Sequence, residues 1–439
     1  MSVLPLSFGR RLAAAALILS TAACSQRPAL LSADEQQAKT QAMIADGGYF
    51  ATGRHEVIAA QDHWRRAADI VDVSVLVPAM PGQYPLIVYL PGLGEQADAG
   101  KLWREYWAKA GYVVVSLQPK EIADALIQIG PPPAATESGG FWPDFGGRTD
   151  ESDEEDDEQR GKRRAADARA SELRYIGHQL FAVDALQKRL DLTLWALEQC
   201  LERSRNRQGL YAKADPQRLL LAGYDLGAQT VAALIGERNG PAPASAPPTA
   251  LAAVLLSPSA DPALGTAAQR YQDIQRPFLA VTSDIDHDPY AISSPQIRTA
   301  IWQYAPAGGK WLLQLKNAEH RLLAGTGFAL PGAEHGHDRG RGRNGPPAGG
   351  PPGYTGSAGF GGPGGPGGGH GGPPGAGRGT GGPDDEDGEP GGASAAIAAI
   401  YCVTLAFFDD IAKQDNFAEL WLRQNAGPWL GKTGRLQWK

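Results

Sequence analysis

The sequence predicts an α/β protein built on a mostly parallel central sheet with helices on both faces, and three observations carry that prediction. Short, continuously apolar runs recur at residues 252–256, 278–282 and 311–315, with helical or loop segments between them. Strands covered on both faces read this way because neither face meets water. Residues 218–230, RLLLAGYDLGAQT, read as a buried strand, a sharp glycine-framed turn and a helix start. Acidic residues and a histidine follow two of the later strands, at the carboxyl ends where parallel sheets bind ligands. With 439 residues and 42% apolar content the chain can bury a substantial core. Its net charge of -7 is spread through mixed-sign runs, which excludes the basic surface that nucleic-acid binding needs.

At the N-terminus Arg10 and Arg11 precede an apolar run at residues 12–19, then Ser20, Thr21, Ala22, Ala23 and Cys24. This is the charge, hydrophobe, small-residue order of an export signal, and the run is too short to span a bilayer. The paired arginines also fit a twin-arginine route. Thr21-Ala22-Ala23-Cys24 resembles the bacterial lipoprotein cleavage box, which implies a signal peptide at 1–23, lipid on the Cys24 sulfur and a membrane anchor. Ser25 in place of an aspartate implies, by the same resemblance, the outer membrane. The competing expectation is an ordinary secretory signal with an incidental cysteine. Residues 24–54 read as a polar tether.

The core is expected at 55–330. Residues 71–77 alternate as a strand, and 85–90 form a short apolar strand that ends in the turn Pro91-Gly92-Leu93-Gly94. Residues 101–110 read as a helix closed by Gly111, and 112–117 as another buried strand. Residues 119–170 read as an irregular charged insertion. They hold three consecutive prolines from Pro131, an aromatic patch of Phe141, Trp142 and Phe145, and an acidic block at 150–158 followed by a basic one at 160–164. The charge runs are expected to be solvated; the aromatic patch either covers a cleft or packs on the body. Leu186, Leu190, Leu194, Leu197 and Leu201 recur at helical spacing.

Residues 331–394 are dominated by Gly and Pro, with Arg339, Arg341 and Arg343 near one end and Asp384, Asp385, Glu386 and Asp387 near the other. So little apolar surface cannot offset chain entropy, and disorder is expected. Export argues against an RNA-binding role for the arginines, and His335, His337 and Asp338 read as a solvated loop rather than a metal site. Residues 395–439 complete the core, beginning with a helix whose apolar face includes Ile400, Val403, Leu405 and Phe408. Cys200 and Cys402 lie in apolar helical patterns and read as buried thiols. No cysteine spacing suggests zinc, and no cofactor or metal is expected.

The residues that could carry chemistry fall in the order Asp225, Asp286, His320. Asp225 sits at the tip of a G-x-D-x-G turn with Gly223 and Gly227. Asp286, with Asp284 and Asp288 as alternatives, follows the strand at 278–282, and His320 follows the strand ending at Leu315. Asp284, Asp286 and Asp288 have a calcium-like alternation but lack the glycine and distal glutamate of an EF-hand. Ser257 and Ser259 also follow a strand; without an elbow around them they read as turn residues.

Nucleophile, acid, histidine is the chain order of an α/β-hydrolase triad. Residues 55–330 and 395–425 resemble that superfamily, and the strands at 71–79 and 85–91 resemble the dienelactone hydrolase and platelet-activating-factor acetylhydrolase group. The resemblance implies an oxyanion hole built from the backbone N–H groups of Leu93 and Leu226, with Pro91-Gly92 where relatives carry His-Gly. It also implies a serine where this chain has Asp225. A carboxylate attacking an ester gives a mixed anhydride, whereas attack on an epoxide or alkyl halide gives an alkyl ester that water can cleave. Epoxide hydrolases and haloalkane dehalogenases resemble this elbow, yet they carry tryptophan where Leu226 stands and a cap after the next strand, where only about twenty residues separate Ser257 from Phe278. Two carboxylates would push His320 toward imidazolium until Asp225 is esterified. The expectation is an exported, lipid-anchored hydrolase of small carboxylic or lactone esters, with epoxides and alkyl halides behind. The alternative is an inactive pseudohydrolase serving as a cell-envelope binding or scaffold lipoprotein.

Overall fold

In this computed structural model the residues described are 31–129, 157–238, 246–261, 264–326 and 392–439. The export signal, Cys24, the aromatic patch at 141–145 and the Gly/Pro-rich stretch at 331–391 lie outside them.

A nine-stranded sheet of the described residues has the order β1-β2-β4-β3-β5-β6-β7-β8-β9. The strands are β1 (Val57–Arg66), β2 (Asp69–Pro78), β3 (Tyr84–Leu90), β4 (Val113–Pro119), β5 (Ala214–Tyr224), β6 (Ala252–Leu256), β7 (Phe278–Ser283), β8 (Lys310–Leu315) and β9 (Gly434–Trp438). From β4 through β3, β5, β6 and β7 to β8 the pairing is parallel. It is antiparallel for β1 with β2, β2 with β4, and β8 with β9. The sheet is therefore mixed at its margins and parallel through its middle. The edge strands β1 and β9 were not legible as strands, because VIAAQDHWRR and GRLQW have no run of alternating apolar residues.

The helices are α1 (Ala33–Ala45), α2 (Lys101–Lys109), α3 (Lys120–Asp124), α4 (Asp157–Phe181), α5 (Val183–Arg205), α6 (Leu226–Leu234), α7 (Ala267–Tyr271), α8 (Ala300–Tyr304), α9 (His320–Leu323), α10 (Gly392–Lys413), α11 (Asn416–Leu420) and α12 (Ala426–Leu430), with a π-helical turn (Trp421–Asn425) between the last two. Strand alternation divides the core in two. Ile87, Tyr89, Val114, Leu220 and Ala222 face Trp103 and Trp107 of α2 and the apolar side of α10. Leu86, Val88, Leu90, Val115 and Leu221 face α5, α6 and α8 through Leu190, Leu197, Val231 and Ile301. Helices thus cover both faces, which explains the continuously apolar strands. By length and composition α10 could cross a membrane, but here its apolar residues form the core.

Two stretches depart from the sequence reading. Within the expected tether, residues 33–45 form a helix, opened by a capping box in which Ser32 and Glu35 bond each other's backbone. Ile44 and Tyr49 join the core beside α10. The Tyr49 hydroxyl donates to Asp409 Oδ2 at 2.8 Å and to Asp415 Oδ2 at 3.0 Å. The tether reading accordingly fails for residues 33–50; three buried side chains on one helical face, Gln36, Thr40 and Ile44, were too few to register as amphipathic. The insertion at 119–170 is also not irregular throughout. It contains α3 and the start of α4, whose alternating charges suit an exposed helix as well as a solvated loop.

Candidate active site

β5 passes into α6 with only Asp225 between them, at φ 50° and ψ -112°. This conformation is costly for a residue with a side chain and persists only where neighbours enforce it. Asp225 N–H donates to Leu256 O at 3.0 Å, and Gln229 N–H donates to Asp225 O at 3.1 Å. A Cβ on Gly223 would stand 2.6 Å from Gly227 C and O, and one on Gly227 would overlap the Leu90 carbonyl. Both glycines are therefore required by the close crossing of helix and strand.

The strands beyond β5 bring up the remaining groups. His320 opens α9 just after β8, and Asp286 lies in the turn after β7. His320 Nδ1 is 2.7 Å from Asp286 Oδ1, so the ring donates its Nδ1–H there. That leaves Nε2 facing Asp225 Oδ1 at 3.8 Å. Asp286 Oδ2 accepts from Thr282 Oγ1 at 2.8 Å. The alternatives are engaged elsewhere. Asp284 accepts from Asn317 N–H at 2.8 Å and pairs with Lys316 at 3.1 Å. Asp288 accepts from the N–H groups of Tyr290, Ile292 and Ser293. The alternating acids diverge rather than converge, and among the described residues no group of His, Cys, Asp and Glu is placed to hold a metal.

Two participants escaped the sequence reading. Ser257, read there as a turn residue, has its Oγ 2.8 Å from Asp286 Oδ1 and 2.9 Å from His320 Nδ1. Its φ of 51° shows that it, too, is held in an unfavourable conformation. The available signal was its position, directly after the strand next to the elbow strand, though nothing in its neighbours marked it. Arg298, fully buried, donates Nε to Asp286 O at 2.9 Å, Nη1 to Ser257 O at 3.1 Å and Nη2 to Asp288 Oδ2 at 2.9 Å. A lone arginine before a short helix carries no motif.

Burial acts on Asp225 and Asp286 alike, and their partners separate them. It pushes Asp225 above the ordinary carboxylate range; the His320 charge pulls back, Asp288 adds to the rise, and Arg298 and the Leu226 N–H lower it again. Asp286 is pushed up by burial as well, but Arg298, the His320 hydrogen bond and charge, and Thr282 outweigh this and hold it below that range. Asp225 is only 2% exposed, and among the described residues its Oδ1 has no hydrogen-bond partner. A buried carboxylate oxygen without a donor is costly.

The cover over the elbow is apolar. Leu93, Ile122, Phe181, Leu226, Tyr290 and Ile292 form one cluster, with Leu173, Ile176 and Leu180 of α4 against it. Arg189 Nη1 donates to Leu180 O at 2.9 Å, and Gln229 Nε2 donates to Phe181 O at 3.0 Å. These bonds tie the carboxyl end of α4 to the elbow helix, because Arg189 also bonds Thr230 and Gln229 of α6. Leu93 and Leu226 meet in that cluster; among the described residues the Leu93 N–H has no partner, while the Leu226 N–H lies against the Asp225 carboxylate. Cys200 and Cys402 are buried free thiols. Comparison with known proteins finds no family model that matches the chain and no similar curated protein.

Proposed function

We propose that the chain is an exported α/β hydrolase that acts through a covalent intermediate on Asp225, an alkyl ester with epoxides and a mixed anhydride with carboxylic or lactone esters. One observation carries the reading: a strained aspartate at the tip of a strand-to-helix elbow, with His320 Nε2 3.8 Å from its Oδ1 and His320 Nδ1 bonded to Asp286. The strand order, with the elbow on a central parallel strand and the acid and histidine after later ones, supports the hydrolase fold. Asp225 attacks carbon, the substrate bond breaks, and the charge on Asp225 disappears. His320, oriented by Asp286, then takes a proton from the water that cleaves this intermediate. The substrates are small carboxylic and lactone esters together with epoxides. The epoxide reading is favoured by the apolar cover from α4, which supplies over the elbow what a cap would supply.

The test is multiple turnover in oxygen-18 water on a panel of esters, lactones and epoxides, followed by the mass of the Asp225 peptide. Label is expected in the Asp225 side chain, because water attacks its carbonyl carbon. Hydrolysis without label there would overturn the nucleophile. A protein inert on the whole panel that gains esterase activity with Asp225→Ser would instead support the pseudohydrolase reading, which the near-complete burial of Asp225 favours. Export and a lipid on Cys24 belong to the same proposal. They are tested by the mass of the N-terminal peptide from membrane fractions, and a wholly soluble, unlipidated protein would refute them.

A further inference from the structure

Glu95 lies in the turn that carries Leu93, and three bonds fix that turn. Gln118 Nε2 donates to Gly92 O at 2.9 Å and to Glu95 O at 2.8 Å, and Gly94 N–H donates to Ile122 O at 3.1 Å. The Glu95 carboxyl folds back so that Oε2 accepts from Gly92 N–H at 2.8 Å. A Cβ on Gly92 would meet Glu95 Oε2 at 3.3 Å and the Tyr224 ring at 2.8 Å, so this carboxyl lies beside the residue preceding Asp225. Glu95 is half-buried, whereas Asp225 is almost fully enclosed. Among the described residues Oε1 has no hydrogen-bond partner.

We propose that Glu95 is the proton donor of this site, delivering the proton on Oε1 to the oxygen that leaves when Asp225 attacks an epoxide or an acyl carbon. The inference rests on the covalent reading above and narrows its substrates to those whose leaving atom is oxygen, since a halide departs without a proton. Burial pushes Glu95 up to about 8, the Gly92 N–H lowers it, and the Asp225 charge raises it. Glu95 is therefore an acid at neutral pH. The other ionisable groups facing it are Tyr89, Tyr224 and Tyr290, whose hydroxyls burial pushes well above their ordinary range.

For an epoxide the step balances as follows. The Asp225 oxygen bonds to the ring carbon, the carbon–oxygen bond breaks, and its electron pair stays on the departing oxygen, which takes the Glu95 proton. Glu95 becomes a carboxylate and Asp225 a hydroxyalkyl ester. With a carboxylic ester the Asp225 oxygen bonds to the acyl carbon, the bond from that carbon to the alcohol oxygen breaks, the departing oxygen takes the Glu95 proton, and Asp225 becomes a mixed anhydride that water cleaves in the same way. Water then adds to the ester carbonyl while His320 takes a proton, and collapse expels the second oxygen, which receives that proton from His320. Asp225 emerges as the free acid, and its proton returns to Glu95 through solvent.

The experiment compares wild type with Glu95→Gln, which keeps an acceptor for Gly92 N–H but has no acidic proton. The probes are styrene oxide and the ethyl and 4-nitrophenyl esters of one acid. With proton donation, kcat/KM for styrene oxide and the ethyl ester falls at least about 100-fold more than for the nitrophenyl ester, whose leaving group needs no acid. Equal falls on all probes, or no fall on any, overturn the proposal. The wild-type pH profile is a second reading that does not depend on the variant's folding. A basic limb near pH 8 in kcat/KM for the ethyl ester, absent for the nitrophenyl ester, supports Glu95; the same limb for both overturns it. If wild type is active and Asp225 becomes labelled, an adverse result removes Glu95 alone. If wild type is inert on every probe, the covalent reading falls and this proposal falls with it.

Discussion

Replacing Arg298 with methionine tests whether a buried charge organises the acid side of the site. The guanidinium has no exposure, bonds Asp286 O, Ser257 O and Asp288 Oδ2, and stands 3.4 Å from Asp286 Oδ1. Methionine refills most of the aliphatic volume, so the main loss is electrostatic: two enclosed carboxylates lose their shared cation. Removing one partner of a buried pair costs about 3–5 kcal/mol. That is a large share of the about 5–15 kcal/mol typical of a folded domain, yet it leaves a measurable transition. The sign of the pH dependence follows from Asp286. Burial alone would raise its pKa, but Arg298 and His320 hold it below the ordinary range. Its stabilising ionisation is therefore complete above the unfolded value of about 4 and is lost as the pH falls through the lower folded value. Without Arg298 the burial effect wins, and the variant takes up a proton at higher pH. Urea unfolding should show the full deficit at pH 7, narrowing toward pH 4 by up to about 1.4 kcal/mol per pH unit for each proton taken up. A deficit of equal size at pH 7 and pH 4.5, or one below about 1 kcal/mol at pH 7, would refute the charge-pairing argument.

Three other substitutions probe the site and its support. Ser257→Ala removes a hydroxyl that bonds the Asp286 and His320 pair; roughly a tenfold lower kcat is expected, with a loss of stability of about 1 kcal/mol. Wild-type turnover in that variant would return Ser257 to the role of a turn residue. Gly227→Ala drives a methyl into the Leu90 carbonyl, and a loss above about 3 kcal/mol or failure to fold is expected on thermal melting; a normal melt would show that the elbow can relax. Tyr49→Phe leaves Asp409 and Asp415 without a shared donor. A loss of about 1–3 kcal/mol in urea is expected, and none would mean that the stretch after α1 contributes little to the core.

What could be read from the chain in advance was whatever depends on local pattern. Gly223, Asp225 and Gly227 announce the elbow because only glycine fits where helix and strand cross. Runs such as AAVLL at 252–256 announce parallel strands because both faces are covered. Asp286 could be ranked first among three acids by its distance from the strand, but only its 2.7 Å contact separates it from Asp284 and Asp288. Ser257 and Arg298 were invisible for a different reason: each acts through groups 29 or more and 10 or more residues away respectively, and neither belongs to a motif. The same holds for α1, whose partner α10 lies beyond the Gly/Pro-rich stretch, so its burial is decided by a contact 354 residues distant.

An aspartate in place of a serine nucleophile changes what the rest of the site must do. Serine needs a base before attack, whereas Asp225 needs only to be ionised, and enclosure works against that. His320 and Arg298 restore part of the balance, and the Leu226 N–H adds to it. A second ionised carboxyl nearby would undo the gain, so on this mechanism a neutral Glu95 and a charged Asp225 are mutually consistent: the Asp225 charge raises Glu95, while His320 and Arg298, which lower Asp225, have no counterpart at Glu95. The apolar cover then has a double effect. It strips water from the attacking oxygen, and it leaves the Asp225 ester facing only such water as His320 can reach. On the proposed mechanism, the same enclosure that makes Asp225 costly as a resting charge would make it reactive toward carbon and would leave the second half of the reaction to His320 and Asp286.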